Sequence, residues 1–123
     1  MLRLLMIVSG TFEALFGLSA LIAPNLLIAG LGTETTAAAG LLARIFGAAA
    51  LGLGAAALLA RDEVNTKGGI AAAFGLALYN VLAACFILWT AAIDHSGAAL
   101  WGAGLIHAVI GALFVYALAK ARG

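Results

Sequence analysis

The chain has 123 residues, of which 66% are hydrophobic and only 9% charged, with a formal net charge of +1 and a mean hydropathy of +1.21. Soluble domains carry roughly a quarter charged residues, so this chain cannot coat a water-facing surface. That excludes a soluble globular enzyme, a disordered tail and a nucleic-acid binder with a basic patch. One cysteine, Cys85, excludes an internal disulfide and any CxxC metal or redox site.

About 20 helical residues cross a hydrocarbon core of about 30 Å, and four apolar runs are long enough. They cover about 2–23, 36–60, 69–92 and 97–119. Strands in a barrel would alternate in polarity; these runs are continuously apolar, so they read as helices. The first is interrupted by Glu13 and stopped by Pro24-Asn25. Arg3 followed by apolar residues fits a signal peptide superficially, but a mid-run glutamate and Pro24 after Ala23 do not. The stretch from Pro24 to Thr35 reads as a connector, with Thr33 as N-cap of the second span and Glu34 suited to its positive end. Arg61–Gly68 is the most polar connector, and Asp94-His95-Ser96 joins the last two spans, with His95 expected in solvent. No connector is long enough to hold a folded domain.

With four spans, both termini and the middle connector share a side. That side carries Arg3, Arg61, Lys67, Lys120 and Arg122, while the opposite connectors carry Glu34 and Asp94 and no cation. By the positive-inside rule the termini lie in the cytoplasm, and Trp89, Trp101 and Tyr116 fall at the two interfaces. The expected architecture is an all-α membrane protein: a single four-helix transmembrane bundle, residues 1–123, in a cell inner membrane.

Sixteen glycines and nearly twice as many alanines suit such a bundle. In lipid, helices associate through close backbone approach and polar contacts, for which small residues at four-residue spacing are suited. Ala43-Gly47, Ala48-Gly52, Ala50-Gly54, Ala71-Gly75 and Gly104-Ala108 have that spacing. Gly52, Gly54 and Gly102 could serve contacts with other proteins. Cys85 reads as a small apolar filler, and the phenylalanines as packing residues.

Each span holds one strongly polar residue: Glu13, Arg44, Asn80 and His107, with Tyr79 beside Asn80. Such residues are costly in hydrocarbon and are seldom placed there without a role. Counted at about 1.5 Å per residue they fall within roughly 5–10 Å of one level. Their neighbours three and four positions away are mostly small, so a single interior cluster is expected, with Glu13 and Arg44 as an ion pair. Glu13, Arg44, Tyr79, Asn80 and His107 are thus the candidate ligand-binding residues. The plain alternative is that these groups only glue helices together.

Three functions fit the pattern. The first is binding or transport of a small molecule or ion at the bilayer midplane. The second is a structural or accessory subunit, and the third an enzyme on a lipid-like substrate with Glu13 and His107 as acid and base; no HExxH, GxSxG or SxxK signature is present. No metal or cofactor is implied: a haem would lack a second intramembrane histidine. Expected partners are the bilayer, a small apolar or amphipathic ligand and a second copy of the chain, with no nucleic acid. Over most of its length the chain resembles small bacterial four-helix membrane proteins of the DoxX type, through LLARIFGAAALGLG at Leu41–Gly54, Tyr79-Asn80 and His107. That resemblance implies a four-helix bundle in a bacterial inner membrane and no particular activity.

Overall fold

The structure, a computed structural model, describes residues 1–32, 34–94 and 97–122. Five helices follow in order: α1 Leu2–Ile22, α2 Pro24–Gly30, α3 Ala37–Ala60, α4 Lys67–Ile93 and α5 Ala98–Arg122. Four of them, all but α2, are long and apolar enough to cross a membrane, the make-up of a multi-pass membrane protein. No strand occurs among the described residues. Each long helix ends within three residues of the run that predicts it.

Local chemistry sets the boundaries. Pro24 has no N–H to continue α1 and a φ suited to a helix start. The chain therefore turns at Ala23 and begins α2 with Pro24 in its first turn. This short helix corrects the reading of 24–35 as a plain connector; seven residues are too few to display a period. Thr36, not Thr33, caps α3, its hydroxyl accepting from the Ala39 N–H at 3.1 Å; Thr33 lies outside the described residues, as do His95 and Ser96. Thr66 caps α4 in the same way through Gly69.

The buried residues of α3 are Gly40, Ala43, Gly47, Ala50, Gly54 and Ala57. They alternate three- and four-residue steps, the spacing of a seam in antiparallel bundles. Gly10 and Gly17 of α1 meet Gly54 and Gly47 of α3 so closely that carbonyls of one helix lie on the Cα positions of the other. A Cβ added at Gly17 would sit 2.5 Å from the Gly47 carbonyl oxygen, and one at Gly54 would sit 2.6 Å from that of Gly10. In the other seam Gly104 and Gly111 of α5 make room for the side chains of Leu88 and Val81 of α4. Of the sequence's candidate pairs, Ala43-Gly47 and Ala50-Gly54 lie in a seam. Ala48 and Gly52 face outward.

The bundle is therefore two antiparallel pairs, α1/α3 and α4/α5, each tightly joined within itself and touching the other far less. The pairs meet mainly at the end that carries both termini. There Leu2, Met6, Ala57, Ala73, Leu76 and Phe114 form the core. The same end is laced outside by Arg3, whose Nε donates to Asp62 at 2.6 Å, with Arg61 at 3.5 Å on the other carboxylate oxygen. Leucines, phenylalanines and both tryptophans cover the outer surface. Cys85 is exposed too, so it is no core filler: it projects from the outward face of α4.

Candidate functional site

At the far end the two pairs stand apart around an open-sided cavity of about 1110 Å³, with Leu26, Leu42 and Phe86 of its lining largely exposed. Its walls come from all five helices: Phe12 and Phe16 of α1, Leu26 to Leu31 around α2, Ala39 to Phe46 of α3, Tyr79 to Ile87 of α4 and Ala99 to His107 of α5. From Ala99 to His107 it runs about 12 Å along α5 at 1.5 Å per residue. Every lining side chain is apolar or absent except those of Tyr79 and His107, which lie at its deep end. A second opening beyond it, of about 710 Å³, includes Thr90 and Asp94 and shares Leu31, Phe86, Ile87 and Leu100 with the first. The mouth is more polar than the walls.

Beneath this deep end lies the polar layer. Ser9, Glu13, Asn80 and His107 are all buried. Asn80 is its hub. Its Nδ2 donates to the Leu76 carbonyl at 2.8 Å and to the Ser9 hydroxyl at 3.5 Å, and its Oδ1 lies 2.8 Å from His107 Nδ1. The small faces predicted around Glu13, Asn80 and His107 make this possible: Gly10 and Gly17 bring α1 against α3, and Gly111 brings α5 against α4. The Glu13 carboxylate is 1% exposed and neither oxygen has a hydrogen-bond partner among the described residues. The Tyr79 hydroxyl is close enough to interact with it without completing hydrogen-bond geometry.

Arg44 is not part of this layer. It is exposed, makes no ion pair among the described residues, and its Nη1 reaches back 3.5 Å to the Gly40 carbonyl of its own helix. The expected Glu13–Arg44 pair is therefore overturned. Position 44 follows Ala43 of the seam, and one helical step of about 100° swings it out of the interface. Side chains lean toward a helix's N-terminus, so the guanidinium is carried toward the far end, away from Glu13.

The aromatic residues do more than pack. Phe12, Phe16, Phe46, Tyr79 and His107 form a closed circuit. The centroid distances are 6.2, 5.7, 6.3 and 5.6 Å in that order, and 6.3 Å from Phe12 back to His107. Such edge and offset contacts fix ring orientation. In the sequence only Phe12 and Phe16, four apart on one helix, hint at the circuit; its other links cross between helices. Among the described residues no group of three or more His, Cys, Asp or Glu side chains is placed to hold a metal ion.

Comparison with family models, with curated proteins and with solved structures finds no match. The likeness to DoxX-type proteins therefore adds nothing to what the geometry says.

Proposed function

We propose that this protein binds a small, predominantly apolar molecule within the membrane, in the cavity between its two helix pairs. One observation carries the reading: a cavity of about 1110 Å³ with apolar walls and two polar side chains confined to its deep end. Ligand sites are concave, mostly apolar and furnished with a few convergent polar groups, and this cavity has that plan. Asn80 and Ser9 hold the floor, Tyr79 and His107 meet the ligand, and Glu13 lies just behind.

The positive-inside rule puts the end bearing Arg3, Arg61, Lys67 and Lys120 in the cytoplasm. The cavity then opens in the opposite leaflet, and the expected setting is a bacterial inner membrane. An occupant would enter from the lipid or from the far surface. Transport would require the packed terminal end to open as well, so binding is the simpler reading.

The test uses full-length protein in lipid nanodiscs, with the co-purifying molecules extracted and identified by mass spectrometry. An apolar molecule should be retained at near-stoichiometric level. Gly102→Leu, which puts a side chain into the open space beside Gly102, should lower its occupancy severalfold. Wild type and variant holding the same background of bulk lipid would defeat the proposal.

A further inference from the structure

The hydrogen-bond directions in the floor show which kind of group His107 offers to an occupant. A backbone carbonyl only accepts, so the Asn80 group 2.8 Å from the Leu76 oxygen is its NH₂. This fixes the amide's orientation and turns Oδ1 toward His107, at 2.8 Å from Nδ1. An amide oxygen also only accepts, so Nδ1 carries a proton. In the neutral ring, Nε2 is then left with a lone pair on the side facing away from Asn80. Nε2 makes no hydrogen bond among the described residues, and the ring lines the cavity. The other polar lining group, the Tyr79 hydroxyl, can both donate and accept, and its ring packs edge-on to His107 at 5.6 Å.

We propose that the occupant is an apolar alcohol, with one hydroxyl seated at the deep end between His107 and Tyr79 and a hydrocarbon body filling the walls above. This inference rests on the binding function proposed above and narrows its ligand class. A hydroxyl donates to Nε2 while its oxygen faces the Tyr79 hydroxyl, whose single proton it shares with the neighbouring Glu13 carboxylate. A ketone or ether oxygen sets a lone pair against that of Nε2. A carboxylate does the same and adds a charge where no cation stands, since Arg44 is turned away. A second polar group on the ligand would find only leucine, isoleucine, phenylalanine, alanine and glycine in the walls.

The test compares three probes of one branched fifteen-carbon skeleton: the primary alcohol (farnesol), its methyl ether and the parent hydrocarbon. Affinities are measured by calorimetry on the full chain in nanodiscs. A gain of one hydrogen bond predicts the alcohol to bind about tenfold tighter than the ether. In His107→Phe the ratio should collapse to about one, while in Tyr79→Phe alcohol and ether should both weaken two- to threefold relative to the hydrocarbon. Histidine-selective ¹⁵N NMR on the wild type, which has two histidines, gives a reading independent of variant folding. His107 should show a protonated Nδ1 and an unprotonated Nε2, with Nε2 moving when the alcohol is added. Equal affinity for alcohol and ether, or the opposite tautomer, overturns the alcohol while leaving the cavity a binding site. Failure of all three probes, with no bound molecule in the purified protein, overturns both readings.

Discussion

The two ends of the bundle solve the same problem in opposite ways. At the terminal end Met6, Ala73, Leu76 and Phe114 are wholly buried and the helix pairs close on one another. At the far end the residues between the same pairs are also apolar, yet Phe86, Leu82 and Ile106 stand around open space. The helices are the same and hydropathy does not distinguish the ends. The difference lies in the seams: Gly10–Gly54 and Gly17–Gly47 clamp α1 to α3, and Gly104 and Gly111 seat α5 against α4, while contact across the pairs centres on the core near the termini, the Ser9–Asn80 contact and the aromatic links Phe12–His107 and Phe46–Tyr79. Packing within pairs is thus decoupled from packing between them, which leaves a cavity between two closely packed helix pairs.

Substitutions at glycines on the two sides of that divide should differ most. Gly54→Val drives a Cβ to within 2.6 Å of the α1 backbone, where no side chain can yield. It should destabilise the fold by about 3 kcal/mol, read as an earlier helix-loss midpoint in dodecyl sulfate titration. Next comes the layer between the halves. Asn80→Leu strands His107 Nδ1 within α4/α5 and the Ser9 hydroxyl across the pairs and should cost about 2 kcal/mol in the same assay; a neutral result would show that these bonds do not hold the fold together. At the open end, Gly102→Leu should stay within about 0.5 kcal/mol of wild type, because a Cβ there meets nothing within 4 Å. It is in binding, not stability, that this variant should fail.

Smaller still is the effect of Arg44→Gln. With the guanidinium outside the bundle, stability should move by less than about 0.5 kcal/mol, and a loss several times larger would restore an interior role for that cation. The smallest response belongs to the exposed Arg3–Asp62 pair at the closed end. The Arg3 guanidinium, and behind it Arg61, hold the Asp62 carboxyl below its ordinary value of 3.8. A lowered value in the fold means the contribution is present above that ordinary value and fades as pH falls through the lowered one. Asp62→Asn should therefore remove a faint acid-side slope from the stability profile, and salt should weaken it in the wild type.

Much of this was legible in the residues. Unbroken apolar length defines the four long helices, and Glu13, Asn80 and His107 converge because small neighbours at three- and four-residue spacing mark the faces that meet. The same rule misleads at Arg44, since Gly40 and Gly47 belong to the seam while Leu41 and Ala48 do not. A position beside a seam shares half its neighbours with a position in it. Helix α2 and the aromatic circuit were not legible. One is too short to show a period, and the other is made by contacts between helices that no linear spacing encodes. The cavity escaped for a related reason: apolar side chains facing a void read the same as apolar side chains facing each other.

The outward turn of Arg44 has a mechanical consequence. Its guanidinium hangs from α3 two turns below the helix start, bent toward the far end along the bare stretch that Gly40 provides. In a bilayer that group must stay within reach of headgroup oxygens or water. For a bilayer-spanning α3 that sets a limit on draught: the helix could sink no deeper than the arm is long.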